Sequence, residues 1–364
     1  MSDSYYERLV DEPSLVAHLE DHLGAVDDYE IDRHREGHSN ETLFLEWGDR
    51  DLVLRRPPPG NTADTAHDVL REYRVTAALA ETDVPVPEPV LACEDHDVIG
   101  SDFYVMERLE GDVLRDDEPD RFAASEHRQR IGEELVDTLA KIHDVAYESV
   151  GLGEFGRPAG YTQRQVDRWG TQLSWAFEVT EDERAVPDLH AVGDWLRDSV
   201  PEEHPHTLVH GDYKLDNVMF GTGGADRATD DNAERSPALV AVFDWEMATL
   251  GDPRADLGWM LSYWRDPKDP APSMPELTSR FMEREGYPTR VELVDRWETH
   301  TGLEFEHERF YRTLAVYKLA ALGEMFFRRY LEGNSDNPIY PKMEARVPAL
   351  TARAMRIIEG DEPL

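Results

Sequence analysis

The stretch Leu208-Val-His-Gly-Asp212-Tyr-Lys214-Leu-Asp-Asn217-Val-Met-Phe220, followed by Leu239-Val-Ala-Val-Phe-Asp244-Trp-Glu246, carries most of the information in this chain. Gly211 and Asp212 favour a turn, and apolar runs stand on either side of it. Asp212 and Asn217 fall on that turn, and Asp244 closes a second β-branched run. The three residues form a chemical set. One carboxylate can accept a proton from a hydroxyl, while an amide oxygen and a second carboxylate are hard donors suited to Mg²⁺. An ordinary strand-ending turn would explain His210-Gly-Asp212 alone, but not the downstream Asn and Asp in this order.

The pattern His-Gly-Asp-x-x-x-x-Asn with a later Asp resembles the aminoglycoside phosphotransferase superfamily, in which His-Gly-Asp stands where protein kinases have His-Arg-Asp. That resemblance implies ATP and Mg²⁺ as cofactors and a small-molecule hydroxyl as acceptor. Asp212 is then the base, Lys214 neutralises the transferring phosphoryl group, and Asn217 and Asp244 hold the metal. His210 supports the turn, Asp216 is a turn residue, and Asp256 in Gly251-Asp-Pro-Arg-Ala-Asp256 caps a helix and braces the loop from below.

Upstream, Gly37-His-Ser39-Asn40-Glu-Thr42 is similar to the phosphate-binding loop of the kinase-like domains associated with acyl-CoA dehydrogenases. Its backbone and the polar groups of Ser39, Asn40 and Thr42 can approach phosphates. In Leu52-Val-Leu-Arg55, Arg55 takes the position of the usual phosphate-binding Lys, and the same subfamily reads Leu-Arg-x-x-Pro-Pro-Gly there. A guanidinium can bind phosphate oxygens bidentately, although it is not a point charge. Glu72 is the expected partner of Arg55. Phe103-Tyr-Val-Met106-Glu107-Arg-Leu109 matches the hinge, with Met106 setting pocket depth and Glu107 and Leu109 offering backbone atoms to adenine.

The formal net charge of −39 is extreme, and five of the 38 basic residues are lysines. The acids are spread along the chain rather than gathered in a tail. Such a coat points to a halophile, because molar salt shrinks the Debye length to about 3 Å and screens the repulsion. It argues against nucleic acid as a partner. One cysteine, Cys93, excludes an internal disulfide, and Cys93-Glu-Asp-His96 reads as an acidic turn rather than a metal site. No stretch is long and apolar enough to span a membrane, and the N-terminus lacks a signal pattern, so the expected location is cytoplasmic.

The periodicities predict an α+β, bilobal, protein-kinase-like fold with a cleft between lobes. Residues 1–109 form the small β-rich nucleotide-binding lobe with one main helix, and residues 110–364 the large, mostly helical catalytic and substrate lobe. Strands are expected over 41–47, 51–55, 90–93 and 103–108, and helices near 15–23, 64–80, 131–143, 163–178, 254–264, 275–285, 305–331 and 343–358. Residues 221–237 read as an exposed loop. Arg328-Arg329 reads as a surface pair, with binding of an anionic substrate group as the alternative. Two further readings are a nucleotide-binding regulatory pseudokinase and a module for a basic partner. The intact Asp212, Asn217 and Asp244 set favours catalysis over the first, and the even spread of acid disfavours the second. An antibiotic, choline or sugar acceptor competes with a hydroxyacyl-CoA-type metabolite.

Overall fold

The computed structural model describes residues 3–34, 40–59, 68–222 and 236–364. Two short helices, α1 (Asp3–Leu9) and α2 (Glu12–Leu23), precede the first sheet. Asp11 caps α2 by accepting from the Ser14 N–H, and Pro13 occupies its first turn. The sheet contains β1 (Tyr29–His34), β2 (Glu41–Trp47) and β3 (Arg50–Arg56). After α3 (Val69–Leu79) come β4 (Pro89–Cys93), the single turn α4 (His96–Ile99) and β5 (Phe103–Glu107). The strand order is β1-β2-β3-β5-β4, with every pair antiparallel. The helix expected from residue 64 starts at Val69, capped by Asp68; residues 64–67 lie outside the described residues.

Strand alternation divides the sheet into two faces. Leu43, Leu45, Leu52, Leu54, Phe103 and Val105 pack with Leu9, Leu15 and Leu19 in one apolar core. Arg56 shares that parity, and its guanidinium is buried there on the carbonyls of Leu9 and Ile99. Val53, Tyr104 and Met106 take the opposite face and pack with Val69 of α3. Arg55 belongs to this second face, so a single residue of register separates a structural arginine from a candidate functional one.

The second unit is mainly helical. It contains α5 (Ser125–Asp144), α6 (Tyr161–Thr180), α7 (Pro187–Asp198), and the short strands β6 (Thr207–Val209) and β7 (Val218–Thr222). β8 (Pro237–Val242) carries the chain out of it, and β9 (Thr249–Gly251) returns to pair with β6. Then follow α8 (Pro253–Tyr263), α9 (Arg290–Thr301), α10 (Glu308–Leu331) and α11 (Met343–Glu359). Helix α10 is buried on nearly all sides from Phe310 to Ala321, as a central helix must be, and packs on α6, α8 and α11. Truncating one of its core side chains, such as Leu319, is expected to cost about 2–5 kcal/mol.

The first compact unit comprises Met1–Gly111 together with Val150–Leu152 and Val240–Ala248, and the second takes the remainder. A single cut after residue 109 therefore follows chain order but not space, because 240–248 returns to the first unit and brings Asp244 with it. The helix expected over 275–285 is absent. Only a 3₁₀ turn at Phe281–Glu283 forms, while Ser279 donates to the Asp116 carbonyl and Glu276 pairs with Arg346. These long-range anchors hold the segment as a run of irregular turns against its local preference. A helix that the periodicity did not mark, α9, starts at Thr289 with a full capping box to Glu292.

Candidate functional site

In the second unit the turn after β6 is organised from beneath by one carboxylate. Asp256 on α8 accepts from the backbone N–H of His210 at 2.6 Å and of Gly211 at 2.8 Å. His143 Nε2 lies 3.5 Å from the same carboxylate, and its Nδ1 accepts from Trp297 Nε1 at 3.0 Å, which assigns the proton to Nε2. Burial would push the Asp256 carboxyl up, but His143, His210 and the His210 amide hold it below the usual range. Asp252, rather than Asp256, caps α8 by accepting from the Arg254 N–H. Gly211 has φ 82°, a conformation that a side chain would strain, so glycine is required where the chain reverses.

Asp212 follows directly. Its N–H donates to His210 Nδ1 at 3.1 Å, which gives His210 a supporting role. Lys214 Nζ lies 2.5 Å from Asp212 Oδ2, and Asn217 Nδ2 donates at 2.8 Å to both the carbonyl and the Oδ2 of Asp212. Asn217 thus uses its amide nitrogen within the turn, which leaves its oxygen as the atom suited to a cation. Burial pushes the Asp212 carboxyl up, yet the ammonium groups of Lys214 and Lys318 outweigh it and keep the carboxyl below its ordinary value. Asp212 is therefore ionised at neutral pH. Burial raises the neighbouring Asp216 against the pull of Lys214 and Arg115.

A pocket of about 370 Å³, including its open mouth, adjoins this turn within the same unit. Lys214, Asp216 and Arg115 supply its charge, and Leu114, Met260, Tyr263, Phe281 and Met282 are among its apolar walls. Tyr263 lies under the Lys214 ammonium, 5.9 Å from nitrogen to ring centre.

In the first unit, cross-strand pairing aligns Thr42, Arg55 and Tyr104 in one row on the α3 face of the sheet. Arg55 reaches Glu72 of α3 at 3.4 Å and Asp244 at 3.6 Å. Glu72 is only 2% exposed, so its inward orientation is real despite its place on a surface-accessible helix. Burial disfavours the Arg55 cation, but Glu72, Tyr104, Asp244 and Glu246 outweigh it and hold the guanidinium firmly charged. Burial pushes the Glu72 carboxyl up against the pull of Arg55. Asp244 has φ 64° and ψ 55°, a left-handed conformation uncommon for a residue with a side chain, which aims its carboxylate at the end of β8. The segment is tied down on both sides. Val242 N–H donates to the Pro85 carbonyl at 2.9 Å, and Arg71 donates to the Ala248 carbonyl at 2.9 Å.

The remaining expected positions differ in kind. Ser39, with Gly37, lies outside the described residues. Asn40 is buried, and among the described residues neither atom of its amide has a hydrogen-bond partner. Met106 is buried on the α3 face. The Glu107 N–H already donates to the Glu88 carbonyl at 2.9 Å, so of its two backbone groups only the carbonyl remains to offer. Leu109 is partly buried beyond the end of β5. Arg328 stacks on Trp175 at 3.9 Å and pairs with Glu178 and Glu332. Among the described residues no cluster of three His, Cys, Asp or Glu could hold a metal, and no helix is long and apolar enough to cross a membrane. The sequence reading missed Lys318 and Tyr104. Lys318 had left a signal, a lone lysine inside the apolar run Leu314–Leu322.

Residues 30–291 match the family described as phosphotransferase enzyme family, APH. The chain belongs to this family. Acyl-CoA dehydrogenase family member 11 from Rattus norvegicus is 32% identical over 334 residues, covering 89% of this chain and 40% of the relative. The human protein of the same name is 32% identical over 336 residues. The chain thus spans about two-fifths of the length of these curated relatives. Among solved structures, one named as an aminoglycoside phosphotransferase from Ralstonia eutropha superposes with a TM-score of 0.79 at 28% identity, covering 96% of this chain and 99% of that one. An ethanolamine kinase from Plasmodium vivax superposes at 0.55 with 12% identity, covering 92% of this chain and 84% of that one, a likeness of fold alone. The kinase-like α+β fold of the phosphotransferase family is therefore that of this chain, with a small antiparallel-sheet unit and a helical one.

Proposed function

We propose that the chain transfers the γ-phosphoryl group of ATP to a hydroxyl of a small molecule, with Mg²⁺. The observation that carries this reading is the turn at 210–217, where an ionised Asp212 is held between Lys214 and Asn217 and braced by Asp256. In the proposed step the acceptor oxygen attacks the γ-phosphorus. A P–O bond forms to the acceptor, the bond from phosphorus to the β,γ-bridging oxygen breaks, ADP departs, and the hydroxyl proton passes to the Asp212 carboxylate. Lys214 balances charge on the transferring group. Asn217 and Asp244 offer the hard oxygen donors that Mg²⁺ takes, and among the described residues Asp244 Oδ1 is buried without a hydrogen-bond partner. When bound, the metal neutralises phosphate charge. Arg55, oriented by Glu72, serves the phosphates in place of a lysine, and the Asn40–Thr42 segment and the Met106–Leu109 strand end serve the rest of the nucleotide.

The acceptor reading follows from the pocket beside the turn. Its walls are largely apolar, and the two cations Arg115 and Lys214 outnumber the one carboxylate, Asp216. Such a lining suits an acceptor with an aliphatic part and an anionic or neutral polar part, and it suits a polycationic aminoglycoside poorly. A hydroxyacyl-CoA-type metabolite fits that description. The test is ADP release by purified protein in molar salt, across hydroxyacyl thioesters, free hydroxy acids, choline, sugars and aminoglycosides. Turnover confined to the aminoglycosides would sink the acceptor reading, and no turnover or ATP binding at all would sink the phosphotransferase reading.

A further inference from the structure

Helix α10 buries three charged side chains along its middle, and two of them pair with opposite charges. Arg312 meets Glu308 at 3.0 Å, and Glu324 meets Arg184 at 2.7 Å. Lys318, the third, reaches the turn that carries Asp212. Its ammonium is buried and donates to the backbone carbonyl of Gly211 at 2.6 Å, one residue before Asp212. It also lies 3.7 Å above the ring centre of Trp259 and 5.6 Å from that of Trp169. Trp259 is stacked edge-on against Tyr263, one turn further along α8, and Tyr263 underlies Lys214. Two ammonium groups therefore flank the same turn, each seated on an aromatic ring of one helix.

A buried ammonium is expensive, and an apolar residue of similar length would often be tolerated at no cost in stability. The expense needs a use. Gly211 stands between the braced His210 and the reacting Asp212, and Asp256 already holds its N–H, which belongs to the peptide group shared with His210. We infer that Lys318 is a positioning residue, whose charged hydrogen bond to the Gly211 carbonyl fixes the next peptide group, the one Gly211 shares with Asp212, and so sets the place of Asp212. The inference rests on the phosphotransferase reading of Asp212. The bond is strongest while the amine is protonated.

The groups that face Lys318 make it sensitive to pH near neutrality. Burial lowers its pKa most, the ammonium of Lys214 and the guanidinium of Arg168 lower it further, and Asp212 and Asp256 raise it, leaving it at about 8. The cation is lost as pH rises through that value, and the hold on Gly211 weakens with it.

The experiment compares parent, Lys318→Arg and Lys318→Met by ADP release from pH 6 to 9.5, with melting curves to confirm folding. Removing a charged hydrogen bond should lower kcat of Lys318→Met by about 10- to 100-fold, with the KM for ATP unchanged. The parent should lose activity through pH 8, whereas Lys318→Arg, whose guanidinium does not titrate there, should recover part of kcat and keep it to higher pH. An unchanged kcat in Lys318→Met, or the same alkaline loss in Lys318→Arg as in the parent, overturns the inference. NMR of lysine-labelled protein supplies a reading independent of turnover. One of the five lysines should titrate near 8 and vanish in both variants, and the Gly211 and Asp212 amide signals should follow the same midpoint. If they stay fixed while that lysine titrates, the inference fails while measured turnover still upholds the phosphotransferase reading, and absent turnover with moving amides would fault only the latter.

Discussion

The Asp212 turn and the Arg55 triad treat their polar groups in opposite ways. Around Asp212 nearly every donor and acceptor has a close protein partner, with contacts of 2.5 to 2.8 Å from Lys214, Asn217 and Asp256. Around Arg55 the ion pairs are longer, at 3.4 and 3.6 Å. Among the described residues, Arg55 Nε, Glu72 Oε2 and Asp244 Oδ1 are buried without a hydrogen-bond partner. Buried groups left this way in an ordered site call for an explanation. The difference teaches that the protein itself completes the turn, whereas the triad suits groups that a ligand completes. The proposed function asks for this difference: a base must be held in one orientation before its substrate arrives, and phosphate- and metal-binding groups must keep capacity in reserve.

The largest effect should come from the turn's chemistry. Asp212→Asn should reduce transfer by about 10²- to 10⁴-fold, the range expected for a lost general base. The ATP–Mg²⁺ melting shift should persist, because in the proposed step Asp212 addresses the acceptor. Equal rates for variant and parent would remove Asp212 from the reaction.

Next in size is the brace. Asp256→Asn can still accept from one backbone N–H but not two, and should cost about 1–3 kcal/mol in urea unfolding. The sign with pH follows from the depressed carboxyl. Its contribution is full above the unfolded carboxylate range near 4 and fades as pH falls through the lower folded value. The gap in stability between parent and variant should therefore be constant from pH 7 to 5 and shrink toward pH 3. A gap that widens on acidification would contradict the assignment.

At the triad the effects should appear in nucleotide binding rather than folding. Arg55→Lys exchanges a fork for a point charge and should raise the KM for ATP by about 5- to 30-fold, some 1–2 kcal/mol. Asp244→Asn should shrink the Mg²⁺-dependent part of the ATP melting shift and leave the nucleotide-free melting point close to that of the parent. Should either variant unfold the protein instead, the triad would be structural and the contrast with the turn would collapse.

Smallest per residue, though summed over the whole chain, is the effect of salt. Buried pairs at the turn and the triad are poorly screened, so any gain must come from exposed acids. With a net charge of −39, the melting midpoint should climb as KCl rises from about 0.1 M toward molar concentration. A flat or falling midpoint would show that the acidic coat is no salt adaptation. Activity should track the midpoint until salt competes with phosphate at Arg55 and Lys214.

The sequence by itself determined the chemical content of both regions. Asp212, Lys214 and Asn217 are close in the chain, so a tight turn brings them together whatever surrounds it. Arg55 and Thr42 share a sheet face because alternation has period two, and Arg56 is turned inward for the same reason. Tertiary structure decided what supports them. Lys318 lies 107 residues from the carbonyl it holds, and Asp256 lies 46 from the first amide it accepts. Asp244 joins Arg55 only because 240–248 leaves the helical unit for the sheet unit. Residues 275–285 stay irregular, as turns, because Asp116 and Arg346 hold them, while α9 forms where a capping box meets buried Leu293 and Trp297. Local preferences are worth tenths of a kcal/mol per residue, and a buried charge or anchor is worth several times that. Wherever the two compete, contacts between distant parts of the chain prevail.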